Sequence, residues 1–397
     1  VKLWTRSRWF LLAVAAAAAA SMAQTRSTAA GDMPRFEPDP AWPKIPNGWV
    51  LGQVASAATD EHDNVWVLHR PRTVRPDQKT APPVIEFDSA GNYVQGWGGA
   101  GDGYDWPQTE HGIYVDYKGF VWIGGSGNED QILKFTKDGK FVMQLGKGGQ
   151  KKTNQDTKNF WKPADVFVYP KTNELFVADG YGNKRIIVFD ADTGAYKRMW
   201  GAFGNTPADD PPAPAESPGG AAGRGAAGGR GAGRSNRVPA KELPATDPGP
   251  PQFNTVHGVK VSNDGLVYVA DRAGKRVQVF TIDGKYLTQA FVDRWCEAVG
   301  QGCGNGQTVA STAFSPDPAQ RFLYVASRSP ARIWVYDRKT MQPLYSFGKP
   351  GVGAGEFYVL HHMTTDSKGN LYTSEVEDGH RVQKFVFKGL SPAASTR

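Results

Sequence analysis

The chain has 397 residues, 40% of them hydrophobic, and it carries 47 Gly and 28 Pro. This wealth of turn formers fits many short strands better than long helices, and the length allows a large core. The formal charge is +7, but Lys2, Arg6 and Arg8 at the extreme amino terminus supply three of those charges, and the +4 left is too small and too evenly spread to indicate nucleic acid as a partner.

In chain order, the three cations are followed by an apolar run from Trp9 to Ala20 and by small residues at Ser21 and Ala23. This is the pattern of a secretory signal, too short to span a bilayer comfortably. It predicts cleavage after residues 1–23 and a periplasmic or secreted mature protein. Ser7 separates Arg6 from Arg8, so a twin-arginine route is not indicated. An extension over 24–47 leads to a repeat region predicted over 48–388, and 389–397 form a short Ser/Ala-rich tail. No later segment is long and apolar enough to span a membrane.

Six segments share one pattern: an apolar strand, an Asp/Asn/Gly turn, a β-rich strand, a variable loop, a third alternating strand and another turn. The clearest copy runs from His111 to Gly146, and the others start near Val54, Pro163, Val256, Val309 and His361. Turns such as Asp138-Gly139 and Asp283-Gly284 mark hairpin-connected antiparallel strands, and four strands per unit make a propeller blade. The expected fold is therefore an all-β, six-bladed β-propeller of NHL-type repeats. The sixth copy supplies only three strands, and Gly48-Trp49-Val50-Leu51-Gly52 is expected to close the ring as an amino-terminal strand completing the last blade. A Pro/Gly/Ala/Arg tract over 205–252, too poor in apolar residues to pack a core, is expected as a disordered insertion between the third and fourth blades. Cys296 and Cys303, the two cysteines, are expected to form a local disulfide that staples a loop.

One repeat position stands out. His111 to Ile123, His257 to Val269, and His361 to Thr373 are each twelve residues, as is Ala55 to Val67. Around the ring the position reads Ala55, His111, Ala164, His257, Ala310, His361. The first strand of each blade lines the central channel, so three His from alternate blades are expected to meet at the axis. Three neutral imidazoles with one open position form the ligand set of catalytic zinc, although ligand type alone leaves iron, manganese and copper open. A single channel His would more simply bond to water or backbone. Three of the seven His falling on alternate copies of one position argue for a metal.

Residues three or four past the centre of the second strand are expected to ring that metal, and they are Arg70, Tyr181, Arg272 and Arg328. Arginines near a cation suggest a small carboxylate-bearing substrate, because a guanidinium binds a carboxylate through two parallel hydrogen bonds. Arg328 is expected instead to pair with an Asp of a neighbouring blade. Tyr181, at the Asp-Gly-Tyr-Gly-Asn turn, offers a hydroxyl for general-base work.

These residues resemble the catalytic core of peptidyl-α-hydroxyglycine α-amidating lyase. The matching pieces are Leu51-Gly-Gln-Val54, Leu68-His-Arg70, His111-Gly, Pro163-Ala-Asp-Val166, Asp179-Gly-Tyr-Gly-Asn183, Val256-His257, Ala270-Asp-Arg272 and Leu360-His361. The resemblance covers essentially the whole predicted mature chain apart from the insertion. It implies that His111, His257 and His361 bind zinc, that Arg70 and Arg272 handle substrate, and that Tyr181 is the catalytic base. The implied reaction cleaves the C–N bond of an α-hydroxyglycine, releasing an amide and glyoxylate. After the third His the family has an Asp that helps hold a structural calcium; here the residue is His362, which puts calcium in doubt. The Cys beside the family's Tyr is Gly182, and the family's partner monooxygenase domain has no counterpart in these 397 residues.

The expectation is thus a monomeric, exported zinc lyase-like enzyme. Two alternatives are a metal-dependent hydrolase of the lactonase kind, whose channels typically carry acidic ligands, and a non-enzymatic ligand- or protein-binding propeller, which leaves the His alternation unexplained.

Overall fold

The structure, a computed structural model, describes residues 32–127, 130–150, 153–209, 246–296, 303 and 306–392. The expected signal segment lies outside them, as do 210–245 of the expected insertion and 393–397 of the expected tail. Among the described residues no helix is long and apolar enough to cross a membrane.

The described strands form six four-stranded sheets, the blades of a β-propeller. The first amino-terminal strand is β1 (Met33–Asp39). Blade one is β2 (Gln53–Thr59), β3 (Val65–Arg70), β4 (Val84–Phe87) and β5 (Tyr93–Trp97). Blade two is β6 (Glu110–Val115), β7 (Val121–Gly125), β8 (Ile132–Phe135) and β9 (Phe141–Leu145). Blade three is β10 (Pro163–Tyr169), β11 (Glu174–Asp179), β12 (Arg185–Asp190) and β13 (Tyr196–Trp200). Blade four is β14 (Val256–Val261), β15 (Leu266–Asp271), β16 (Arg276–Thr281) and β17 (Tyr286–Phe291). Blade five is β18 (Val309–Phe314), β19 (Phe322–Ser327), β20 (Arg332–Asp337) and β21 (Gln342–Phe347). Blade six is β22 (Leu360–Thr365), β23 (Leu371–Glu375) and β24 (Arg381–Ser391), completed by β1.

Turn chemistry explains why the strands break where they do. In blade two, Asp116 Oδ1 accepts the backbone N–H groups of Lys118 and Phe120, each at 2.9 Å, and its Oδ2 accepts Trp122 Nε1 at 2.8 Å. One carboxylate thereby closes the turn and ties it to the following strand. Asp60 does the same with His62, Asn64 and Trp66, and Asp366 with Lys368, Asn370 and Tyr372. The core lies between adjacent blades: Trp66, Leu68 and Val84 of blade one pack with Ile113, Ile123 and Phe135 of blade two.

The ring closes through an amino-terminal strand, but not the expected one. Met33–Asp39 is hydrogen-bonded beside β24, whereas Gly48–Gly52 is not a strand. Leu51 is instead buried in the core cluster of Val54, Val65 and Phe87, with Trp49 packed against it, and Val50 makes one isolated bridge to Thr80. An apolar stretch that fills a gap under blade one has no edge left to offer to blade six.

Among the described residues, those from Glu37 to Val386 form one compact unit, and 32–36 with 387–392 form another. In the latter, Arg35 Nε donates to Ser391 Oγ at 2.7 Å. The described ends of the expected insertion are bonded to the propeller: Asp209 Oδ1 accepts Asn154 N at 2.7 Å, and Arg276 donates to the carbonyls of Pro248 and Pro250. Cys296 and Cys303 are buried and joined in a disulfide.

Candidate metal centre

The twelve-residue spacing corresponds to a common register. Ile113 pairs with Ile123, Val259 with Val269, and Met363 with Thr373, so each His stands two residues before an equivalent pair. Ala57 with Val67, Val166 with Val177, and Thr312 with Val325 put Ala55, Ala164 and Ala310 in the same place. A register irregularity occurs at this step of every inner strand. Such bulges re-aim side chains, and here the re-aimed ones are the three His.

Each imidazole is held by the next blade. His111 Nδ1 lies 2.7 Å from the Ala164 carbonyl oxygen, His257 Nδ1 2.6 Å from that of Ala310, and His361 Nδ1 2.6 Å from that of Ala55. A carbonyl only accepts, so all three Nδ1 atoms are donors and, in the neutral rings, all three Nε2 atoms present lone pairs. Burial holds all three well below the ordinary imidazole range, so the rings are neutral at physiological pH. The small Ala at the alternate positions is therefore part of the arrangement: it lets the neighbouring imidazole reach its backbone.

The Nε2 atoms converge. Those of His257 and His361 are 3.3 Å apart, the separation of two nitrogens held about 2.0–2.1 Å from one tetrahedral ion. The Tyr181 hydroxyl lies 2.9 Å from His111 Nε2 and 3.1 Å from His257 Nε2, but its single proton satisfies one of them. Lone pairs thus face one another in a buried space without enough donors, which is the donor set a soft or borderline cation requires. His111, His257 and His361, joined by His362, form a buried group whose ligand atoms all lie within 4.8 Å of one another and could hold a metal ion. The three expected ligands are brought together; His362 was singled out in the sequence only as a departure at a calcium position.

Tyr181 is fixed by its turn. Asp179 Oδ1 accepts Trp161 N at 2.9 Å, while Oδ2 accepts Asn183 Nδ2 at 2.7 Å and Arg185 Nε at 2.9 Å. A Cβ on Gly180 would stand 2.0 Å from the Val256 carbonyl oxygen, so glycine is what allows this turn to lie against the strand that carries His257. Arg272 Nη1 donates to the Tyr181 hydroxyl at 2.8 Å, and its guanidinium carbon stands 4.7 Å over the Tyr181 ring. Arg272 Nε is buried and has no hydrogen-bond partner among the described residues.

The other two arginines differ. Arg70 donates Nε to the Glu110 carbonyl oxygen at 2.9 Å and Nη1 to Gln53 Oε1 at 2.7 Å, at the edge of the His111 strand. Arg328 pairs with an acid of the adjacent blade at 3.6 Å, but the partner is Glu377 rather than the expected Asp. His69, which the sequence presented only as a neighbour of Arg70, is fully buried. Its Nδ1 accepts the Gly52 N–H at 3.1 Å, and its Nε2 faces the Pro82 carbonyl oxygen at 2.9 Å.

A family model for the NHL repeat matches residues 253–280, the core of blade four. NHL repeat-containing protein 3 of Homo sapiens is 25% identical over 362 residues, covering 88% of this chain and 83% of that protein. Peptidyl-glycine alpha-amidating monooxygenase A of Xenopus laevis is 25% identical over 273 residues, 64% of this chain and only 24% of that protein. A probable peptidyl-alpha-hydroxyglycine alpha-amidating lyase of Caenorhabditis elegans is 40% identical over 81 residues, 20% of this chain and 22% of that protein. The chain is a six-bladed β-propeller that carries an NHL repeat and is similar in sequence both to NHL repeat-containing and to peptide-amidating proteins.

Proposed function

We propose that this protein is an exported, zinc-dependent, lyase-like enzyme that cleaves the C–N bond of a peptidyl-α-hydroxyglycine or a related hydroxy acid to give an amide and glyoxylate. The observation that carries the reading is the Tyr181 hydroxyl, held within 3.1 Å of two converging imidazole nitrogens and 2.8 Å from Arg272. A zinc ion held by His111, His257 and His361 would supply a positive charge that acidifies an adjacent substrate hydroxyl.

The side chains divide the remaining work. Arg272, with Nε unengaged by the described protein, and Arg70 hold the substrate carboxylate. Tyr181 accepts the proton of the α-hydroxyl. As that O–H breaks, the C=O of glyoxylate forms, the C–N electron pair leaves with the nitrogen, and the proton ends there. The reaction consumes neither water nor an oxidant, so binding and proton placement are what the protein must provide. The disulfide between Cys296 and Cys303 supports an oxidising, periplasmic or extracellular location.

The test is release of glyoxylate and benzamide in equal amounts from α-hydroxyhippurate by zinc-loaded protein. A loaded protein that releases neither would sink the lyase reading. It would favour a ligand-binding propeller.

A further inference from the structure

The residue after each His or Ala of the inner strands is Ser56, Gly112, Asp165, Gly258, Ser311 and His362 in turn. Four of the six are Ser or Gly, and the two large members are Asp165 and His362. Those two come from blades three and six, which face each other across a ring of six. His362 Nδ1 lies 3.9 Å from Asp165 Oδ1. Asp165 is fixed through its other oxygen, which accepts Val259 N at 3.1 Å and Lys260 Nζ at 2.8 Å.

His362 is only 2% exposed, and its Nε2 has no hydrogen-bond partner among the described residues. Buried nitrogens of this kind are ordinarily paired, so this lone pair is one that a cation can use. Its ring centroid stands 5.5, 5.0 and 4.9 Å from those of His111, His257 and His361. In the other three imidazoles Nδ1 is hydrogen-bonded to a carbonyl oxygen, whereas His362 Nδ1 faces the Asp165 carboxylate beyond hydrogen-bond reach, and that oxygen too has no partner among the described residues. In β22 the register jumps from Leu360 paired with Glu375 to Met363 paired with Thr373, so the two consecutive His fall within one irregular step.

We propose that His362 is a fourth nitrogen ligand of the same ion, with Asp165 as the carboxylate behind it. The proposal rests on the metal reading above and deepens it. His362 lines a cavity of about 340 Å3 toward the far ends of the inner strands, together with Thr59, Tyr114, Phe314 and Thr365; neither Tyr181 nor the other three His lines it. The fourth imidazole therefore approaches from the side of this cavity, away from Tyr181. Four neutral nitrogen donors favour zinc, cobalt or iron(II) over calcium or magnesium, which take oxygen ligands. Asp165 is already engaged by the Lys260 ammonium, so this position offers a hard cation no free carboxylate pair.

The experiment uses the full chain loaded with cobalt(II) after chelator treatment. X-ray absorption counts the imidazoles around the ion, and the visible d–d bands report on its ligand field. Four imidazoles are expected in the parent and three in His362→Gln, with shifted bands and about 100-fold weaker binding in competition with a chelator. His257→Gln is the control and should lose the ion under the same conditions. Three imidazoles in the parent, or a His362→Gln spectrum identical to the parent's, would overturn the fourth ligand while leaving the metal centre intact. A parent chain that takes up no ion overturns both. The imidazole count of the parent decides the matter even where the variant does not fold.

Discussion

At the scale of the residue, Tyr181 joins the parts of the centre, since its one oxygen contacts His111, His257 and Arg272. Tyr181→Phe removes that oxygen and keeps the ring. It should lower glyoxylate release about 100-fold or more with the metal content unchanged, because none of the His–carbonyl bonds involves Tyr181. A variant with parental turnover would remove Tyr181 from the reaction. His69 carries a different prediction. Burial pushes its pKa from 6.5 down to about 4, so between those values the unfolded chain binds a proton that the folded chain refuses. Its contribution to stability is fully present above pH 6.5 and is lost as pH falls toward 4, on the order of 3 kcal/mol. Urea unfolding at pH 7.5 and 4.5 should show a larger loss in the parent than in His69→Gln, and equal losses would refute it. The sequence makes His69 visible only as a letter beside Arg70; its partner Gly52 comes from a segment read there as a closing strand.

At the scale of the element, the inner strands were legible because their turns and their twelve-residue spacing are local features. The common register at Ile113, Val259 and Met363 is that spacing made physical. What local pattern does not carry is contact across the ring. Asp165 and His362 are separated by about half of the chain, and their proximity depends on blades three and six standing opposite each other. The same holds for the approach of the Asp179–Asn183 turn to Val256. Gly180→Ala would place a methyl 2.0 Å from the Val256 carbonyl oxygen and 2.4 Å from its nitrogen. Relief requires moving the start of β14, so stability should fall by about 1–3 kcal/mol. Metal affinity should fall with it, because His257 is the next residue. Urea unfolding and a chelator titration measure the two effects, and a stable variant with parental affinity would show that β14 does not feel the turn.

At the scale of the whole molecule, closure depends on Met33–Asp39 covering β24. This segment, Met-Pro-Arg-Phe-Glu-Pro-Asp, carries two prolines and no repeat context, so the sequence hides its role while the more apolar Gly48–Gly52 draws attention. Deleting residues 33–39 should lower the melting temperature and promote aggregation, since β24 would then present unpaired N–H and C=O groups along its edge. Light scattering during a thermal scan checks this, and an unchanged melting point would mean that blade six stands on three strands. The bond from His361 to the Ala55 carbonyl runs between the last blade and the first. A nascent chain still on the ribosome, lacking its final blade, has two imidazoles in place and the third unmade. On the proposed reading, metallation would be a late event in the life of this molecule, and an exported chain would draw its ion from wherever folding finishes rather than from where translation began.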